Sequence, residues 1–175
     1  MPLAILGLAF GNTIKTYLFK PIPVAIAFIV GAFIILWAEK RQHTVTIDTV
    51  DDIGPLDALK LGFAQAVALI PGMSRSGSTI IGGLFFGLSR KAAAEFSFFL
   101  AVPTLGAASV YSMYKDRALL NTEDIGMWIT GFVFAFFSAM IAVRALIRYV
   151  SHHDFTIFAW YRIAAGILAV WLLSR

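Results

Sequence analysis

The sequence predicts an all-α fold: a polytopic transmembrane helical bundle, one membrane domain over residues 1–175, with a re-entrant helix hairpin at about residues 58–88. Three observations carry that expectation. Of the 175 residues, 59% are hydrophobic and only 14% charged, against roughly 45–50% and 25% in an ordinary soluble domain. Four stretches stay apolar over about the 20 residues that a membrane helix needs. Between the first and second of these lie two apolar pieces of half that length, separated by a polar break that contains glycine. That is the pattern of a chain that enters the bilayer and turns back, or of a broken helix lining a polar cavity.

Residues 2–10 are too short to span alone and run into Gly11, Asn12 and Thr13. The basic residues Lys15 and Lys20 follow the apolar run instead of preceding it, and no small-residue cleavage site follows, so this is no signal peptide. A helix continuing to about Phe19 is expected. The first span, 22–38, has no charge, follows Pro21, and ends on Trp37 just before Glu39, Lys40 and Arg41, an aromatic and then charges at interface height. Residues 43–57 are rich in Thr and Asp and read as an exposed loop. The half-length pieces 61–70 and 80–88 flank the break 71–79. The span 96–113 contains Pro103, which neighbouring membrane helices tolerate. The spans 125–143 and 155–173 complete the set, the last interrupted only by Arg162.

Charge bookkeeping gives an orientation. A hairpin that returns to its own side puts seven bases on one face (Lys40, Arg41, Lys60, Arg90, Lys91, Arg144, Arg148) and five on the other (Lys15, Lys20, Lys115, Arg117, Arg175), with Arg75 and Arg162 inside. The positive-inside rule then places the first face in the cytoplasm and the C-terminus outside. The net charge of +4 is scattered between apolar runs, so it reports topology and implies no nucleic acid. With no cysteine, disulfides, thiolate metal sites and Cys nucleophiles are excluded.

The break holds the chemistry. Pro71-Gly72-Met73-Ser74-Arg75-Ser76-Gly77-Ser78-Thr79 gathers hydroxyls, glycines and a guanidinium where hydrocarbon penalises unpartnered polar groups by several kcal/mol each. An anion offsets that: the first N–H groups of the following helix and its dipole favour negative charge, and Arg75 offers a planar fork for two phosphate oxygens. Ser74, Ser76 and Thr79 can donate further, while Gly72 and Gly77 allow close approach and positive φ. The candidate phosphate-binding residues are thus Gly72, Ser74, Arg75, Ser76, Gly77 and Thr79. Of these Arg75, Ser74 and Ser76 are the catalytic candidates, the serines more as phosphate donors than as nucleophiles, since no base lies nearby in sequence. The plainer alternative is a tight interhelical turn of small residues with Arg75 reaching to the interface. The spacing from Gly72 to Thr79 also approximates a P-loop, but neither the strand nor the lysine of a P-loop is present.

The run 71–79, with Gln65 and Ala66 before it, closely resembles the P-G-x-S-R-S-G-x-T signature of the bacterial undecaprenyl-diphosphate phosphatases, the bacitracin-resistance family. Ser89-Arg90, Ala93, Glu95-Phe96-Ser97-Phe98 through Pro103, and Tyr161-Arg162 resemble flanking helices of that family, so the likeness runs from about Pro2 to the C-terminus. It implies hydrolysis of undecaprenyl diphosphate to the monophosphate and phosphate in the bacterial inner membrane, recycling the carrier lipid for the cell wall. The family's earlier signature with two glutamates four apart, and its P-x-S-S-T-G-H segment, do not occur. The resemblance therefore implies the C-terminal portion of such an enzyme, an N-terminally truncated chain that hydrolyses little when isolated. Any divalent cation, magnesium or calcium, would find its ligands in the absent part, and no metal-ligating residue is assigned here.

The remaining candidates have plainer alternatives. Glu95 could supply a carboxylate, but more often pairs with a neighbouring base. Arg162 touches the diphosphate or pairs with a carboxylate or free helix carbonyls, the two being equally weighted. His43, His152 and His153 look like solvated loop residues. Gly83 and Gly87 have close-packing spacing, and the run Phe132, Phe134, Phe136 and Phe137 reads as lipid- or helix-facing bulk. Partners are the polyprenyl diphosphate lipid and the membrane; homo-oligomerisation stays open. A transporter or flippase of a phosphorylated lipid is the alternative function.

Overall fold

The computed structural model describes residues 2–41, 44–117 and 124–173. Seven α-helices follow in order: α1 (Pro2–Leu18), α2 (Pro21–Lys40), α3 (Pro55–Ala66), α4 (Arg75–Phe85), α5 (Arg90–Lys115), α6 (Ile125–Val150) and α7 (Thr156–Leu173). Among the described residues the only strand-like pairing is an isolated bridge between Ile47 and Leu88, so the all-α expectation holds. Four of these helices, α2, α5, α6 and α7, are long and apolar enough to cross a membrane.

Prolines set two of the starts. Pro21 and Pro55 stand at the first helical positions of α2 and α3, where a missing N–H costs nothing. Serine caps set two more. Ser74 Oγ accepts from Gly77 N at 3.0 Å, and Ser89 Oγ accepts from Ala92 N at 3.1 Å, each tying down a first-turn donor of α4 or α5. The first of these caps moves a boundary. The expected second half-helix, 80–88, begins instead at Arg75 and ends at Phe85, because hydrogen bonding starts at the cap while apolar character starts five residues later.

The chain of α3 and α4 is a closed hairpin. After α3 a short 3-10 turn, Val67–Leu69, leads to the reversal, and the two helices then touch where a Cβ on Gly82 would run into Ala64. At the base, Gly87 O accepts from Thr46 N at 2.8 Å and Ile47 N at 3.0 Å, and Ser89 N donates to Ile47 O at 2.9 Å. The strand of chain entering α3 is thereby bonded to the one leaving α4, so both ends of the hairpin lie at the same end of the bundle. Gly87 has φ +86° and terminates α4; it is a turn residue and not the helix-packing glycine its spacing suggested. Gly83 does pack as expected, against Ala93 of α5.

Around the hairpin, α2 packs mainly along α7, α4 against α5, and α1 against α3. Small residues allow the approach: a Cβ on Gly166 of α7 would meet Ile29 and Ala25 of α2. The core joins Ala32, Ile35, Leu61, Ile80, Ile81, Leu84, Leu88, Ala93, Val150 and Phe155. A clasp closes the end of the bundle near Lys40. Glu39, its side chain 5% exposed, accepts from Arg90 Nη2 at 2.6 Å and from the Phe155 N–H at 3.0 Å, tying α2 to the starts of α5 and α7. By contrast, every described residue of 105–117 and 124–139 is exposed, including Phe132, Phe134, Phe136 and Phe137.

Candidate functional site

The site grows from the reversal between α3 and α4. Pro71 ends the apolar run, and Gly72 takes φ +95°, a conformation other residues adopt only with strain. A Cβ there would strike the Val24 carbonyl of α2. Glycine is therefore required twice over, for conformation and for space. Met73 N donates to Ile70 O at 3.0 Å and closes the turn.

Ser74 then caps α4. Its carbonyl accepts from Ser78 N at 2.8 Å, its Oγ accepts from Gly77 N, and the hydroxyls of Ser74 and Ser76 lie 3.3 Å apart. With Gly77 N taken, the N–H groups of Arg75 and Ser76 remain as first-turn donors, at the positive end of the helix dipole. Only Gly72, and not Gly77, uses positive φ. Gly77 is helical and serves by its bareness, since a Cβ there would sit 3.0 Å from Ser74 Cβ.

One guanidinium leaves this turn and another reaches it. Arg75 runs toward α5, where Nη1 donates to Thr104 Oγ1 at 2.7 Å. Thr104 in turn donates to Leu100 O at 2.7 Å, one turn back and next to Pro103. Arg162 comes from α7: Nη2 donates to Gly72 O at 2.9 Å and Nε to Phe28 O at 3.2 Å. Its Cζ lies 4.4 Å from the Phe28 ring centroid. Of the alternatives left open for Arg162, its hydrogen-bond partners are carbonyls, one in α2 and one in the turn. Its Nη1 makes no hydrogen bond among the described residues and stands 3.9 Å from where a Gly77 Cβ would be. Gly31 makes room for this side chain, because a Cβ on Gly31 would press on Arg162 and Met73.

Among the described residues neither arginine has a carboxylate partner. The ion pairs among the described residues are Lys60–Asp57, Arg90–Glu39 and Lys91–Glu95, all elsewhere. Two cations thus stand in an apolar bundle with hydroxyls and free N–H groups beside them, a set that attracts an anion. Two clefts, of about 300 Å³ and 330 Å³, open on either side of Ser74, Gly77 and Arg162. The first is walled by Ile34, Ile81 and Phe85, the second by Phe28, Leu146 and Phe158.

The structure brings Gly72, Ser74, Arg75, Ser76 and Gly77 together at the turn. It does not bring the Thr79 hydroxyl there: Thr79 is fully buried and donates to Arg75 O at 3.1 Å. Glu95 lies 4.0 Å from Lys91, nine residues before Thr104 and so about 14 Å from Arg75's anchor along the α5 axis. His152 and His153 are exposed in the linker before α7, bonded through Nδ1 to carbonyls of α6, and His43 falls outside the described residues. No group of three or more His, Asp or Glu able to hold a metal occurs among the described residues. The tip offers cationic groups, hydroxyls and N–H donors, which do not fit a divalent cation.

Sequence reasoning missed Gly31, Phe28 and Thr104, which position the two guanidiniums. A glycine in the middle of one span and an arginine in the middle of another were the only signal that the two meet.

A family model described as bacitracin resistance protein BacA matches residues 1–168. The undecaprenyl-diphosphatase of Dechloromonas aromatica (strain RCB) is 68% identical over 173 residues, covering 98% of this chain and 63% of the relative. Undecaprenyl-diphosphatase 2 of Rhodospirillum rubrum is 62% identical over 170 residues, and the undecaprenyl-diphosphatase of Nitrosomonas europaea 61% identical over 170 residues; each alignment covers 97% of this chain and 62% of the relative. The chain thus spans a little under two thirds of the length of these curated relatives.

Proposed function

The chain belongs to the bacitracin resistance protein BacA family, and on that premise we propose that it carries the diphosphate-binding half of an enzyme that hydrolyses undecaprenyl diphosphate in the bacterial inner membrane. The reaction adds water across the anhydride: the bond between the terminal phosphorus and the bridging oxygen breaks, water supplies the new oxygen, and undecaprenyl phosphate and inorganic phosphate leave. One observation carries the reading: the hairpin turn bears Arg75, which reaches to Thr104 of α5, and receives Arg162 from α7, and among the described residues no carboxylate neutralises either.

In this reading the tip lies at membrane depth. Arg162 is six residues into α7 and so about 9 Å from its start, and Gly31, which faces it, is about 14 Å from the end of α2. Arg162 Nη1, Arg75 and the N–H groups of Arg75 and Ser76 hold the non-bridging oxygens and stabilise charge on the transferring phosphoryl. The Ser74 oxygen is occupied as the cap, which leaves its proton for a phosphate oxygen; Ser76 donates beside it. Both therefore act as donors, because no base adjoins them. The prenyl chain lies along the apolar walls of the clefts. Nothing at the tip deprotonates water, so the general base and the ligands of any divalent cation come from outside this segment.

The test replaces the matching region of the Dechloromonas aromatica relative with this chain and measures phosphate release from undecaprenyl diphosphate in proteoliposomes. Arg75→Ala in this chimera is expected to lower the rate by about 10²–10³, the usual loss for one donor to a developing oxyanion. Undiminished release would overturn the assignment, and transfer of intact lipid across the bilayer without phosphate release would mark a transporter.

A further inference from the structure

A second cavity, sharing no residue with the clefts at the hairpin tip, opens where α4 ends, α5 begins and α6 ends. Its volume is about 460 Å³. Leu84, Leu88 and Val150 form its floor, and Arg41, Lys91 and Asp48 stand at its rim. Its wall holds three cations, Arg41, Arg90 and Lys91, against one carboxylate, Asp48. Arg90, also in the wall, is neutralised by Glu39. Arg41 makes no ion pair among the described residues and lies instead over the rings of Trp37 and Phe85, at 6.0 and 5.9 Å. Lys91 is 57% exposed and only loosely held, 4.0 Å from Glu95.

The Ser89 hydroxyl donates to Asp48 O at 2.7 Å and accepts from Ala92 N. The Arg90 and Lys91 N–H groups are left as the free first-turn donors of α5. The opposite wall is fixed, since His153 stacks on Tyr149 at 4.4 Å between centroids. The height suits a bilayer interface: Trp37, largely exposed, precedes Arg41 by one turn, and this end carries the larger set of bases, the side that the positive-inside rule assigns to the cytoplasm.

We propose that this pocket binds the phosphodiester headgroup of an anionic phospholipid from the cytoplasmic leaflet. Arg41, Lys91 and the first N–H groups of α5 hold the phosphate, and the glycerol with its first acyl carbons covers the apolar floor. Cationic pockets between membrane helices on this side suit such headgroups. The proposal rests on the chain's lying in a membrane and is independent of the hydrolytic reading.

Native mass spectrometry of the purified chain in detergent tests it, with phosphatidylglycerol, phosphatidylcholine and inorganic phosphate as probes. Retention of phosphatidylglycerol about tenfold over phosphatidylcholine is expected, falling to parity in Arg41→Gln/Lys91→Gln. The control Arg144→Gln/Arg148→Gln removes two charges from the same end outside the pocket and should keep the preference. Should the first double variant fail to fold, Lys91→Glu, on an exposed side chain, is expected to lower the preference at least threefold. A preference that survives these changes, or that the control abolishes equally, overturns the proposal. Displacement of the lipid by millimolar phosphate also overturns it, in favour of a soluble anion.

Discussion

The hairpin has two glycine turns, and they are finished in opposite ways. At its base, Gly87 spends its carbonyl on the backbone N–H groups of Thr46 and Ile47, so the turn is closed by the neutral backbone of its own neighbourhood. At its tip, the Gly72 carbonyl is met by a guanidinium from a helix ninety residues away, Arg75 of the same turn reaches across to Thr104 of α5, and N–H groups are left over. A turn that only had to reverse the chain would look like the base. Two arginines without a carboxylate partner among the described residues are costly in an apolar bundle, and in the proposed reading an anionic ligand offsets that cost.

The largest effect that would sharpen this contrast is at Arg162. Arg162→Ala removes the α7 cation and leaves Gly72 O without its donor. Binding of a long-chain prenyl diphosphate, measured by equilibrium dialysis in detergent, should weaken about a hundredfold, the worth of two charge-assisted hydrogen bonds. Arg162→Lys keeps the charge without the planar fork and should recover only part of it. Next comes Gly72→Ala. Its positive φ and the clash with Val24 O together should cost about 2–4 kcal/mol in chemical unfolding.

Gly87→Ala is the matching change at the base. It too needs positive φ, but its added Cβ meets the Thr46 hydroxyl, which can move. A loss of about 1–2 kcal/mol is expected, with affinity for prenyl diphosphate unchanged. Equal losses of affinity at both glycines would break the comparison, since the base would then share in binding. Smaller still is Thr79→Val: among the described residues the hydroxyl bonds only to Arg75 O, so a stability loss of about 1 kcal/mol with affinity held within twofold is expected. A tenfold loss of affinity would instead return Thr79 to the phosphate.

Much of this was legible in the residues. Long apolar runs mark α2, α5, α6 and α7, and two short ones around Ser74 and Arg75 mark a hairpin, because burial in lipid leaves its pattern in composition. The start of α4 at Arg75 was less legible. Hydropathy records where side chains turn apolar, whereas the Ser74 cap begins the helix while they are still polar. Gly87 misled for a related reason: four-residue spacing from Gly83 fits a helix face only if the helix continues, and it stops at Phe85. Least legible were the long-range partners. Arg162 with Gly72 and Phe28, Arg75 with Thr104, and Glu39 with Arg90 depend on which helices pack together, and a local pattern carries no record of that.

The central claim is that Arg75 and Arg162 jointly hold a diphosphate at the hairpin tip. Phosphorus NMR of a prenyl diphosphate titrated with the purified chain tests it most directly. Wild-type protein should shift and broaden both phosphorus resonances, and Arg75→Gln/Arg162→Gln, shown folded by circular dichroism, should leave them as in empty micelles. Resonances perturbed equally by the double variant would contradict the account.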